Sequence, residues 1–129
     1  EDGHWVMIRQ YRHGIQQETL ELPGGNLDFN EDPIAGGLRE MEEETGFVAE
    51  SAELIGFAYP NPAIQSNKVS FVLAKNVKKL KSQQLDASEE IEVVLVPASS
   101  ISERIKKGEI NHGLILSAFQ FYQIYISDK

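Results

Sequence analysis

The sequence predicts an α/β domain with helices packed on both faces of a mixed β-sheet. Three observations carry this. Strand and helix patterns alternate only loosely along the 129 residues. The first two strands follow one another directly. One sharply punctuated helix then separates them from the later strands.

Taken in order, residues 5–12 (WVMIRQYR) are rich in β-branched and aromatic residues and read as a strand. HGIQQ, 13–17, is a turn. ETLEL, 18–22, alternates polar and apolar and reads as a second strand, ended by Pro23-Gly24-Gly25. Asp32-Pro33 opens a helix, with Asp32 as N-cap and Pro33 at the first helical position. Gly46 stops it. Residues 52–59 and 68–75 read as strands, with the loop PNPAIQSN between them. Lys75, Lys78, Lys79 and Lys81 form a basic cluster before the polar stretch SQQLDASEE, and this region reads as a solvated loop. IEVVLV, 91–96, is a strand, 99–107 a short helix and 110–126 a longer one. On the last helix Leu114, Ala118, Phe121 and Tyr125 recur at helical spacing, which marks a core or dimer face.

The length suits a single domain, 1–129, with a real core. Asp and Glu number 20 against 12 Lys and Arg, giving a net charge of −8 and a pI near 4.8. That balance argues against nucleic-acid phosphates as partners. A phosphorylated small molecule is still compatible if cations lie between the two negative partners. No apolar run is long enough to cross a bilayer, and no signal-peptide pattern appears. Cysteine is absent, which rules out thiolate metal sites and disulfides and fits a reducing, cytoplasmic setting. The chain starts without methionine, at Glu1-Asp2, so an N-terminal part is expected to be missing.

Within the helix, Glu40, Glu42, Glu43 and Glu44 crowd one turn or so. Like charges four apart weaken a helix, and two internal glycines, Gly36 and Gly37, cost it about 1 kcal/mol each. So much local conflict points to a purpose other than helix stability. Taking Glu40 as zero and about 100° per residue, Glu43 falls near −60° and Glu44 near +40°. Ile34, Leu38, Met41 and Thr45 fall between about +100° and +160° and form the core face. Glu42 points away, toward solvent. Three acids thus converge beside a buried stripe, where cations would offset their repulsion. Oxygen-only ligands favour Mg²⁺ or Mn²⁺. Arg39 sits one turn before Glu43 and is placed to pair with it. The glycines are expected to admit a close neighbour. His4, His13 and His112 show no evident partner and read as surface residues.

Gly25, Glu31 and the run Arg39-Glu40-Met41-Glu42-Glu43-Glu44-Thr45-Gly46-Phe47 stand at spacings that resemble the Nudix box. Every fixed position of that pattern is met, and the likeness extends over most of the chain. The resemblance implies a Nudix-type α/β/α sandwich that hydrolyses the pyrophosphate of a nucleoside diphosphate derivative with divalent metals. It implies metal ligation by Glu40 and Glu44, with Glu43 as a further ligand or helper. Glu31 and Arg39 would orient the loop and helix.

The flanks narrow the branch. Glu21-Leu22-Pro23-Gly24-Gly25 resembles the segment before the box in ADP-ribose pyrophosphatases. This implies a metal contact from the Gly24 carbonyl and a substrate contact from Glu21. Pro62 stands where that branch carries a proline, which places Pro62 and Ser66 in a substrate-binding loop. Ser88-Glu89-Glu90-Ile91-Glu92-Val93 resembles an acidic loop entering the same site. Glu89 is then the extra metal ligand or general base, with Glu90 next. Two departures stand out: Gly36-Gly37 replace the usual alanines, and Asn67 lies near where many such enzymes carry a glutamate. The second leaves nucleotide sugars such as GDP-mannose open. Arg9 and Arg12 could meet phosphates or a carboxylate, or be ordinary strand-surface residues.

The implied reaction converts ADP-ribose or a related nucleotide sugar to a nucleoside monophosphate and a sugar phosphate. A nucleoside triphosphate or dinucleoside polyphosphate is the alternative substrate, and a non-catalytic nucleotide-binding module the alternative role. The branch also implies an N-terminal sheet that builds a homodimer in the full-length protein.

Overall fold

The computed structural model describes residues 3–25, 27 and 30–128. Glu1 and Asp2 lie outside the described residues, as do Asn26, Asp28 and Phe29 within the 25–47 pattern.

The strand β1 (His4–Arg12) lies between β2 (Gln17–Glu21) and β7 (Glu92–Pro97), antiparallel to both. Ile8 faces Glu21 on one side and Val93 on the other. A strand flanked on both edges and covered on both faces reads as a near-continuous apolar run. Met7 and Ile8, which point to opposite faces, are accordingly both buried. The helix α1 (Pro33–Thr45) follows β2 in the chain. The helices α2 (Ile101–Lys106) and α3 (Gly113–Ser127) cover the Met7 face of this sheet. There Met7, Leu20, Val96, Ile101, Ile110, Ile115 and Phe119 form the main core. Trp5 closes it edge-on against Phe119 and Tyr122, at 5.3 and 4.7 Å between ring centroids.

A second pair, β4 (Ser51–Ala58) and β5 (Val69–Lys75), is antiparallel with an irregularity between Leu54 and Gly56. Gly56 sits there because α3 crosses closely: a Cβ would fall 2.4 Å from the Phe121 ring. Phe121 in turn packs on Phe71, and Tyr125 donates to Glu53 (2.7 Å). The helix α3 therefore uses two faces. Ile115, Phe119 and Tyr122 meet the β1 side, while Phe121 and Tyr125 meet the β4–β5 side. The expected stripe captured only the second.

The α/β class holds, but the expected mixed sheet does not appear among the described ladders. All are antiparallel and fall into three small sheets. The third is β3 (Phe47–Val48) with β6 (Lys78–Lys79), which replaces part of the loop expected around the lysines. Two residues are too short a stretch to carry a strand pattern, and the pairing forms because β3 leaves α1 directly.

The helix α1 begins and ends where expected. Asp32 accepts from Ile34 N–H (3.0 Å) and Ala35 N–H (3.1 Å). Gly46 takes the left-handed conformation, φ 78°, and its N–H donates to Glu42 O. Glu42 is not free in solvent: it is half-buried and pairs with Lys81 at 2.8 Å.

Candidate active site

Two carboxylates, Glu44 and Glu40, meet where the loop after β2 touches the last two turns of α1. Glu44 is only 5% exposed. Its Oε1 accepts from the N–H of Gly24 at 3.0 Å. One turn earlier, the Glu40 carboxylate lies against Gly25, so close that a Cβ there would fall 2.5 Å from its carboxyl carbon. Residue 25 must lack a side chain for the backbone to approach so closely. Burial pushes the Glu44 pKa up to about 7, and repulsion from Glu40 and Glu89 adds to this against the Gly24 bond. Burial also raises Glu40, again with Glu89 among the contributing charges. Glu89, on a separate loop, is near enough for its charge to act on both carboxylates.

Arg39 organises the rim. Its guanidinium donates twice to Glu31, at 2.8 and 3.0 Å. Its Nη1 reaches Glu43 at 3.2 Å and Glu40 at 3.3 Å. A planar fork spanning three carboxylates fixes their directions better than an ammonium would. Glu43 is the most exposed of the helix acids in this group, with its side chain 37% accessible. It is turned toward Arg39 rather than toward Glu44.

The donor set is all oxygen, anionic and partly desolvated, which suits a hard divalent cation. Among the described residues, no group of three His, Cys, Asp or Glu side chains is drawn together tightly enough to hold a metal unaided. The pair Glu40 and Glu44, with the Gly24–Gly25 backbone beside them, is the part of the set that fits one. Glu89 contributes its field but spends Oε1 on its own loop, accepting from Asp86 N–H at 2.9 Å.

Other expected site residues are placed differently. Arg12 grips Glu21 with two bonds of 2.7 Å, and Thr19 also donates to Glu21. Burial alone would raise Glu21, yet these bonds override it and leave its pKa lowered. Glu21 is 3% exposed and committed to this network. Arg9 makes an exposed pair with Glu92 at 3.4 Å, apart from the carboxylate cluster. Pro62 and Ser66 stand in an exposed loop. A cavity of about 1040 Å³ runs beside the site between the two larger sheets, lined by Arg12, Glu21, Gly24, Gly25 and Met41 among others, but not by Pro62 or Ser66.

Two features escaped the sequence pattern. His112 is not a partnerless surface residue: it is half-buried, and its Nδ1 accepts from Leu114 N–H at 3.1 Å to cap α3. Gln83, in the stretch read as solvated loop, donates to the carbonyls of Glu44 (2.7 Å) and Ile91 (3.1 Å). No local signal distinguishes it from its neighbours. Of the two helix glycines, Gly36 is tight, since a Cβ would meet Leu27 Cδ2 at 2.2 Å. Gly37 is not, for its nearest neighbour, Val72, would be at an ordinary 3.4 Å.

The NUDIX domain model matches residues 1–119. The chain belongs to the Nudix family. An ADP-ribose pyrophosphatase of Bacillus subtilis is 29% identical over 125 residues, 96% of this chain and 68% of that protein. A methanol dehydrogenase activator of Bacillus methanolicus is 33% identical over 121 residues, 92% of this chain and 65% of that protein. The crystal structure of an ADP compounds hydrolase superposes with a TM-score of 0.89 at 23% identity, covering 99% of this chain and 69% of that one. This last likeness shows the Nudix fold. The chain spans about two-thirds of the length of these relatives. No helix among the described residues is long and apolar enough to cross a membrane.

Proposed function

We propose that this domain hydrolyses the pyrophosphate of ADP-ribose or a related nucleoside diphosphate sugar, with Mg²⁺ or Mn²⁺ as cofactor. Water adds across the P–O–P bridge, giving a nucleoside monophosphate and a sugar phosphate. The observation that carries the reading is the convergence of Glu40 and Glu44 on the Gly24–Gly25 backbone. The likeness to an ADP-ribose pyrophosphatase supports the substrate class.

In this reading Glu40, Glu44 and the Gly24 carbonyl hold the cation, and Glu43 assists from the rim. When bound, such a cation offsets pyrophosphate charge and makes an attacking water more acidic. Glu31 and Arg39 keep the helix acids aimed, so little reorganisation is needed as charge develops. Glu89 takes the proton of the attacking water on the carboxylate oxygen that Asp86 does not use. The long cavity beside Gly24 and Arg12 accommodates the organic part of the substrate. The protein is, in the same reading, a cytoplasmic homodimer, and sedimentation would check the dimer.

The deciding experiment is a turnover panel with Mg²⁺, with and without EDTA, on ADP-ribose, GDP-mannose, UDP-glucose, a diadenosine polyphosphate and a nucleoside triphosphate. EDTA-sensitive AMP from ADP-ribose, or GMP from GDP-mannose, is expected. Turnover confined to the triphosphate or the dinucleoside polyphosphate would replace the substrate assignment. No metal-dependent turnover on any of them would favour a binding module.

A further inference from the structure

The end of α1 is covered by a segment from far along the chain. A helix leaves its last carbonyls without partners, and a buried one costs about 1–3 kcal/mol if unmet. Here each finds one. Glu42 O accepts from Gly46 N–H at 2.9 Å, and Glu43 O from Gln84 N–H at 2.7 Å. Glu44 O accepts from the Gln83 amide at 2.7 Å. Thr45 O accepts from Lys79 Nζ at 3.3 Å. Gly46 O accepts from Leu80 N–H and Lys81 N–H, both at 3.0 Å.

Among these, Gln83 alone also reaches out of the cap. The same Nε2 donates to Ile91 O at 3.1 Å, on the far side of the loop that carries Glu89. The loop is otherwise a small closed turn: Glu89 N–H donates to Asp86 O at 3.0 Å, and Asp86 N–H donates to Glu89 Oε1 at 2.9 Å. Those two bonds set the shape of the turn. They do not set its position relative to the helix. The Gln84 N–H bond to Glu43 O ties one foot of the loop to the helix, and the Gln83 amide joins both feet to the carbonyl of Glu44.

We infer that Gln83 is a positioning residue: its side-chain amide clamps the Glu89 loop to the last turn of α1 and so holds Glu89 at a set place relative to that helix. The catalytic part of this inference rests on the proposed role of Glu89. A displacement of about 1 Å can cost on the order of a hundredfold in rate, so losing the clamp matters even though Gln83 stays outside the chemistry.

Gln83→Met keeps length and removes both donors. Gln83→Lys restores a donor, and its charge suits a helix C-terminus. The first measurement is amide hydrogen exchange in the metal-free protein. Gln83→Met is expected to speed exchange at Asp86 and Glu89 by about tenfold or more, with β4 and β5 unchanged. The second is a kinetic cycle with Glu89→Gln. Gln83→Met should lower kcat by about tenfold or more with KM within about twofold, Gln83→Lys should recover most of it, and Gln83→Met should add little once Glu89 is glutamine. Unchanged exchange at Asp86 and Glu89 would overturn the clamp whatever turnover does. An equal loss of kcat with and without Glu89 would overturn its action through that residue, as would faster exchange with normal kcat. A wild-type protein that turns over no substrate sinks the functional reading alone, and the exchange arm then decides the clamp by itself.

Discussion

The N–H of Gly24 donates to Oε1 of Glu44 at 3.0 Å, joining the loop after β2 to the last turn of α1. The bond stabilises the ionised carboxylate, but burial and neighbouring acids outweigh it. The most enclosed carboxylate of the site is therefore half-protonated near neutral pH unless a cation offsets its charge.

This has a signed consequence for stability. The Glu44 pKa is raised from 4.5 to about 7, so the folded state holds the proton more tightly than the unfolded chain. The associated stability is complete below about pH 4.5 and is lost as pH rises through about 7, roughly 2 kcal/mol once solvent screening is allowed for. The raised Glu40 acts in the same direction. Glu21 acts oppositely: its lowered pKa gives stability that is lost as pH falls below its ordinary range. In EDTA, the melting midpoint of the wild type should fall from about pH 5 to about pH 8. Glu44→Gln should flatten that fall, melt higher at the alkaline end and lose most turnover while staying folded. Added Mg²⁺ should raise the alkaline midpoint of the wild type and leave the variant unmoved. Parallel pH profiles for the two proteins would remove Glu44 as the cause.

Arg12 and Glu21 are tested by a different route. Glu21 is buried, and its charge is held by the bidentate guanidinium. Arg12→Leu should destabilise by about 2–3 kcal/mol in urea unfolding, because it strands a buried carboxylate. Adding Glu21→Gln should return part of the loss. An unchanged midpoint with a raised KM would instead make Arg12 a direct phosphate contact.

The glycines separate packing from tolerance. Gly25→Ala would drive its Cβ into the Glu40 carboxylate, the flexible end of a side chain. The fold should survive while kcat drops by about tenfold or more, since Glu40 must move. Gly37→Ala places its Cβ at ordinary contact with Val72. It should stabilise α1 by up to about 1 kcal/mol without changing turnover. A thermal melt and a rate assay on both variants check the pair. Equal effects from the two would contradict the packing at residue 25.

Much of α1 was written in the sequence. Its cap, its first-turn proline and its terminal glycine act through bonds closed within four residues, so Asp32, Pro33 and Gly46 determined where it starts and stops. Helical spacing alone put Glu40 and Glu44 on one side, with Glu44 angled nearer the core stripe. Tertiary structure decided which acid was buried and which was not. Glu43 shares the face of Glu40 yet turns to Arg39 at the exposed rim, while Glu44 is sealed by the Gly24 loop. It also decided that Arg12 belongs to Glu21, that Lys78 and Lys79 pair with β3, and that Gln83 reaches Glu44. Each of these depends on desolvation and on where a distant stretch of chain returns, and neither is encoded in the spacing of nearby residues.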